Sequence, residues 1–215
     1  QERDLERARN KALSVEAAIQ GEVRRMDYFS RDWGMWDDAW FFVQYGNTTF
    51  VDDYLNARSL ASNKLDVMLF YNLTHLVHGA ALDRTNESLI EVPEDLIAEM
   101  DANYDIRHLQ NEGDFSNGII SLQSGCAAFS AHPILRSDSS GPIAGTIVSL
   151  AYLRDDFFSE ISEIHGVRVV GEPAALSADH EFTDGEISIK YVNDTTLSAS
   201  WGLPDIHGST AMIID

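Results

Sequence analysis

An α+β fold is predicted, with a long N-terminal helix packed on an antiparallel sheet, and three observations predict it. Apolar residues recur at three- and four-residue steps from Leu5 through Ala8, Ala12, Val15, Ile19, Val23, Met26 and Phe29, with Glu, Arg, Lys and Gln mostly between them. From Leu65 the period changes to short runs of β-forming residues separated by turn signals. Helices come first and hairpin-rich strands follow, with no internal repeat and no low-complexity linker.

The first helix covers about 30 residues, well above a soluble average of about 11–12. A helix of that length packs along a domain or pairs with a copy of itself. Its stripe mixes Ala with larger residues and is imperfect as a heptad, which favours packing and leaves room for a homodimer contact near its start. Trp33, Trp36, Trp40 and Phe41 fall on a helical face within residues 32–47, and Gly46-Asn47 marks a stop. Phe50 to Ala57 reads as a second short helix or turn. Leu65 to Tyr71 is a buried strand, Asn72 to Thr74 a turn, and His75 to Gly79 the returning strand. Pro93 opens a helix reaching Met100, with acids in its first turn to suit the helix dipole. Strands follow at Gly118–Leu122, Cys126–Leu135 and Ile143–Leu153, the last two joined by the turn Arg136–Pro142. Leu153–Ile164 is a helix ending at His165-Gly166. Val167–Val170, Glu186–Tyr191, Thr195–Trp201 and Ser209–Ile214 complete an antiparallel set. The expected division is a sensor-sized domain over residues 1–164 and a C-terminal β extension over 165–215.

Composition narrows the function. With 44% hydrophobic residues and 10% aromatics the chain is not a disordered tail. A net charge of −20, without a basic stripe, argues against a nucleic-acid partner. The single cysteine, Cys126, sits among small apolar residues as a core filler and can form no intrachain disulfide. Asn-x-Ser/Thr sequences at Asn47, Asn72, Asn86 and Asn193 lie in predicted turns or loops and suit an outward-facing surface. Gln1 falls inside a helical pattern and Asp215 directly follows an apolar stretch, so both ends read as edges of a larger protein.

Catalytic patterns do not emerge. His75 and His78 stand three apart on a strand, which sends them to opposite faces and forbids joint metal ligation. Asp37-Asp38 and Asp155-Asp156 are adjacent on helices and diverge by about 100°. Phosphate loops, dinucleotide fingerprints, nucleophile elbows and zinc-ligand cysteine pairs do not occur. The expectation is a binding module, with no catalytic residue, metal or cofactor.

Three stretches in order carry a resemblance. DWGMWDDAWFFV, then LDVMLFYNLTHLVHG with PEDLIAEM, then HPILRSDSSGPIAGTIVSLAYLRDDFFSEIS resemble the fourth class of CHASE domains. Pro133, Ile134, Leu135, Gly141, Pro142, Gly145, Thr146 and Leu153 match its usual pattern, and Leu203–Gly208 (LPDIHG) resembles a recurring hairpin turn after such domains. Leu150-Ala151-Tyr152 stands where the family often has Gly-Arg. The resemblance implies a PAS-like (Cache-type) sheet on a long helix, placed outside the cytoplasm between two transmembrane helices. The output module would be a histidine kinase or a diguanylate cyclase, signalling through a population shift driven by a small-molecule ligand.

The binding residues expected from the sequence are Trp36, Trp40 and Tyr54 as an aromatic wall, with Asp37 orienting a donor. Phe129, His132 and Ile134 are expected to alternate with Ser130 and Pro133 across the sheet, with His132 placed to meet a carboxylate. Arg58, Lys64, Arg107 and Arg136 are the basic residues near the cleft, and an anionic ligand would need at least one of them. A scaffold answering to a partner protein or to membrane state is the alternative, and a sealed core without a polar-lined cavity would favour it.

Overall fold

The apolar stripe of the first segment produces a single rod. The computed structural model describes residues 2–174 and 186–215, so Gln1 lies outside the described residues. Helix α1 (Glu2–Gly34) runs unbroken for 33 residues, about 50 Å at 1.5 Å per residue. Its buried face is Ala12, Val15, Ile19, Val23, Met26, Ser30 and Gly34. Leu5, predicted to share that stripe, is exposed. Full burial of Ile19 and Met26 stabilises the packing by about 1.5–3 kcal/mol each.

The aromatic segment is divided, not a single helix. α1 takes in Trp33, Met35 and Trp36 form a link, and α2 (Asp37–Tyr45) follows an extended Trp36 (φ −121, ψ 127). The division coincides with a tertiary contact. A Cβ on Gly34 would stand 2.7 Å from the Pro133 carbonyl oxygen, so only glycine permits the approach. The Gly34 carbonyl then accepts the Leu135 N–H at 2.7 Å. Two short helices, α3 (Thr48–Tyr54) and α4 (Ala57–Ser62), replace the one expected over residues 50–57. The side chains of Asn47 and Asn56 cap them.

The main sheet comprises β1 (Val67–Asn72), β2 (Leu76–Asp83), β3 (Ser88–Ile90), β4 (Ser116–Leu122), β5 (Gly125–Ile134) and β6 (Gly145–Tyr152), in the order β3-β2-β1-β6-β5-β4. Every pairing is antiparallel. His75, predicted to open β2, sits in the turn instead. Between β3 and β4 lie α5 (Glu94–Ala102) and α6 (Tyr104–Arg107), and after β6 comes α7 (Asp155–His165). A second sheet is built from β7 (Gly171–Pro173), β8 (Ser188–Asn193), β9 (Thr196–Pro204) and β10 (Thr210–Ile214), in the order β7-β10-β9-β8. The strand expected over 167–170 starts only at Gly171. Ser162 holds the chain to α7 first, its carbonyl accepting from Val167 N–H and its hydroxyl from Val169 N–H.

The two-residue alternation of β-strands gives the main sheet two buried faces. Met68 and Phe70 of β1, Cys126 and Ala128 of β5 and Ile147 of β6 join the core with α1–α4. Val67, Leu69 and Tyr71, Phe129 and Ala131, and Val148 and Leu150 form a separate core under α5 and α6. Sheet two is continuous with the first core through Trp201, Leu203, Met212 and Ile214. α1 therefore underlies both sheets.

Candidate functional site

Sequence-predicted residues divide between the two faces of the main sheet. Register pairs Phe129 with Leu150 and His132 with Ile147. The expected pattern of Phe129, His132 and Ile134 together cannot hold, because three-residue spacing on a strand reverses the side chain. His132 and Ile134 face α1 with Ser130, while Phe129 faces α5 and α6.

On the α1 face, Trp36 meets Tyr54 with ring centroids 4.6 Å apart and Phe50 at 5.9 Å, and Trp33 reaches both Trp36 and Tyr54. Trp33, Trp36 and Tyr54 are half-buried and pack against the core to which Phe50 belongs. Asp37 straps the β5–β6 loop to α2, its Oδ1 accepting from Ser137 N–H at 2.9 Å with Arg136 Nε 3.9 Å away. Trp40 Nε1 donates to the Pro142 carbonyl at 3.0 Å, and Arg136 lies over the Trp40 and Phe41 rings at 5.1 and 5.2 Å. Arg58 is exposed on α4, apart from these contacts.

His132 belongs to a polar seam between α1 and the sheet. Its Nε2 lies 2.8 Å from Asp27 Oδ1, which also accepts from Asn117 Nδ2 at 2.9 Å. Burial raises the Asp27 pKa, but the hydrogen bonds from His132 and Asn117 and the charges of His132 and Arg31 outweigh it and hold the carboxyl below its ordinary value. One turn on, Ser30 hydrogen-bonds the Ser149 hydroxyl and, at 3.2 Å, the Ser130 carbonyl. Both links cross an otherwise apolar interface. Cys126 is buried, its thiol pushed up by burial and donated to the Ala211 carbonyl of β10 at 3.2 Å.

Two buried side-chain polar atoms lack a hydrogen-bond partner among the described residues, Trp201 Nε1 of β9 and, on the opposite face of the main sheet, the Tyr71 hydroxyl. Tyr71 is 2% exposed, and among the described residues its hydroxyl has no hydrogen-bond partner. Burial pushes the phenol up to about 12, against a smaller downward pull from the Arg107 charge. The Arg107 guanidinium stands 5.6 Å from the Tyr71 ring centre and 4.9 Å from that of Tyr104. Arg107 Nη2 pairs with Asp101 at 3.2 Å and Nε donates to the Met100 carbonyl. Thr146, the register partner of Tyr71, accepts the Leu109 N–H at 3.3 Å. A buried donor without a partner is uncommon in folded proteins, and here its ring lies under a cationic side chain.

Two further clusters escaped the sequence reading. Asp66, 1% exposed, accepts from Arg84 Nε and Arg154 Nη1, each at 2.6 Å, and from Tyr152 N–H at 2.7 Å. An acid inside the apolar run LDVMLFY was the available signal, since a buried carboxylate demands donors. The second is the β9–β10 turn. His207 Nε2 lies 2.7 Å from Glu99 of α5, and Ile206 N–H donates to the Ile119 carbonyl of β4, so the turn of sheet two holds both the cover and the edge strand of the main sheet. Among the described residues no group of three or more His, Cys, Asp or Glu could hold a metal, and no helix is long and apolar enough to cross a membrane.

Comparison with known proteins bears on this arrangement. The methanogenesis regulatory histidine kinase FilI of Methanothrix harundinacea is 24% identical over 200 residues, covering 92% of this chain. The chain spans 22% of that relative's length. The extracellular domain of vpHK1S-Z8 superposes with a TM-score of 0.60 at 9% identity, over 99% of this chain and 93% of that one. The periplasmic domain of Vibrio cholerae LuxQ does so with a TM-score of 0.55 at 7% identity, over 96% and 97%. The long helix with antiparallel sheets is thus the PAS-like fold of periplasmic and extracellular sensor domains. Residues 18–170, which include α1 from Ala18 to its end and the whole main sheet, match the CHASE4 domain, and the chain belongs to that family.

Proposed function

We propose that this chain is the extracytoplasmic sensor domain of a membrane-anchored receptor whose output is a histidine kinase or diguanylate cyclase. It recognises a small anionic ligand between the main sheet and α5–α6. One observation carries the reading: the Tyr71 hydroxyl is buried and unpartnered among the described residues, and the Arg107 guanidinium stands over the same ring. A carboxylate entering there would accept from the phenol and from the guanidinium, satisfying the orphan donor without burying an unpaired charge. Phe129, on this face, supplies apolar wall. Trp36, Asp37, Trp40, Tyr54, Arg58, His132 and Arg136 lie on the α1 side, where their proposed role is to transmit occupancy.

Two routes leave the site. The sheet reports to α1 through Asp27–His132 and Ser30–Ser149. The covering helix α5 reports to β10 through Glu99–His207. Residues 1–164 form the sensing unit in this reading and 165–215 the extension toward the membrane. The ligand acts by binding one arrangement better than another, and the difference in affinity sets the size of the output.

The test is thermal unfolding of the 215-residue chain with acetate, pyruvate, succinate and glutamate at millimolar concentration. A carboxylate at 100 times its Kd would stabilise by about 2.7 kcal/mol. That gain should disappear in Arg107→Ala and Tyr71→Phe. A panel without any shift, or a shift that survives both substitutions, overturns the proposed site.

A further inference from the structure

The four Asn-x-Ser/Thr sequences are equivalent on paper and differ in the fold. Asn72 and Asn193 occupy the tips of hairpins, β1–β2 and β8–β9. At each, the asparagine Oδ1 accepts two hydrogen bonds from the threonine two residues on. Thr74 donates its N–H and Oγ1–H to Asn72, both at 2.9 Å. Thr195 donates the same pair to Asn193, both at 3.0 Å. These bonds on Oδ1, joined at Asn72 by a third from the His75 N–H at 2.9 Å, orient the carboxamide with its oxygen toward the turn, so the Nδ2 end faces away from it. Neither Nδ2 has a protein partner among the described residues.

The other two sites lack this arrangement. Asn86 Nδ2 donates to Asp83 Oδ2 at 2.6 Å, so its amide nitrogen is engaged. Asn47 Oδ1 accepts only the Thr49 N–H, in capping α3. The distinction is local, because every bond spans two or three residues, and it therefore forms with the turn itself.

We propose that Asn72 and Asn193 are N-glycosylation sites and that Asn86 is not. The donor is a lipid-phosphate-linked oligosaccharide handled by a membrane oligosaccharyl transferase. Nδ2 attacks C1 of the first sugar, the Nδ2–C1 bond forms, and the C1–O bond to the lipid phosphate breaks. The phosphate leaves with the bonding electrons, and a base of the transferase takes the amide proton. The hydroxyl at the third position has a physical task here, since it and the backbone N–H hold the carboxamide in its attacking orientation. Exposed neighbours, Leu73 at one tip and Val192 at the other, leave space for a sugar. The inference rests on the extracytoplasmic placement proposed above.

The test uses the full-length protein purified from its own cells. Tryptic cleavage places three of the sequences on separate peptides, 65–84, 85–107 and one beginning at Tyr191. The expected result is glycan mass on the first and third with the second unmodified, and Thr74→Ala removes the addition from 65–84 alone. Protease added to intact cells reads placement independently. Cleavage of the domain from outside with Asn72 and Asn193 unmodified overturns the glycosylation and leaves the placement standing. Glycan on 85–107 equal to that on 65–84 overturns the geometric argument. A domain shielded from external protease overturns both.

Discussion

Replacing Tyr71 by Phe should stabilise the ligand-free domain, against the usual direction for a buried tyrosine. A hydroxyl removed from water without a partner costs about 1–3 kcal/mol. The Tyr71 side chain is 2% exposed and its hydroxyl is unbonded, so that penalty is present in the folded state. Phe keeps the ring in the core that holds Val148 and Leu69 and leaves only an oxygen-sized gap, which forfeits some dispersion contact. The net expectation is a gain of about 1 kcal/mol, or roughly 2–4 °C in Tm for a chain of this size. Alkaline pH supplies a second reading. The phenol's pKa rises from 10.0 to about 12 on folding, because burial disfavours the phenolate. A raised pKa gives stability that is complete below pH 10 and is lost as pH climbs through the folded value. Two units correspond to about 2.7 kcal/mol at most. Urea unfolding of both proteins at neutral pH and near pH 11 isolates this group, since all other tyrosines titrate in both. Destabilisation of the variant by 1 kcal/mol or more at neutral pH, or an unchanged alkaline loss, would refute the claim that the hydroxyl is an orphan.

Asp66→Ala should destabilise by about 3 kcal/mol, the lower end for a broken buried ion pair, because the Arg84 and Arg154 heads are 36% and 42% exposed and can rehydrate. Chemical denaturation checks it, and a loss below 1 kcal/mol would mean that the pairs are ornamental. Asp27→Asn should flatten the acid limb of stability. The Asp27 carboxyl lies below its ordinary 3.8 when folded, so its contribution is present above that value and lost as pH falls through the folded one. Unfolding measured from pH 5 to pH 2 should show the wild type converging on the variant, and parallel curves would exclude the Asp27–His132 link as a source of stability.

The aromatic segment shows how far pattern reading reaches. Spacing placed Trp33, Trp36 and Trp40 on a helical face, yet Trp36 is extended and the helix is broken before it. Gly34 and the acids Asp37 and Asp38 are the local signals for a helix end and a restart, and only the fold shows that Gly34 meets the Pro133 carbonyl from about a hundred residues away. Phe129 is the converse case. Strand alternation alone, applied strictly, separates it from His132, and the register confirms the separation. His207 and Glu99 could not be paired from the sequence, because one lies in a turn of the second sheet and the other on a helix covering the first.

Periodicity by itself determined the long helix, the hairpin order of the strands and the α+β class, because apolar burial imposes a period of 3.6 or 2 wherever one face meets a core. Three aligned stretches determined the family. The tertiary structure alone decided that the strands form two sheets, which sheet face each residue occupies, and that Tyr71 is left without a partner beside Arg107. The reason is physical. Hydrogen-bond satisfaction and the pairing of charges depend on which distant segments meet, and sequence spacing carries that information only within a few residues.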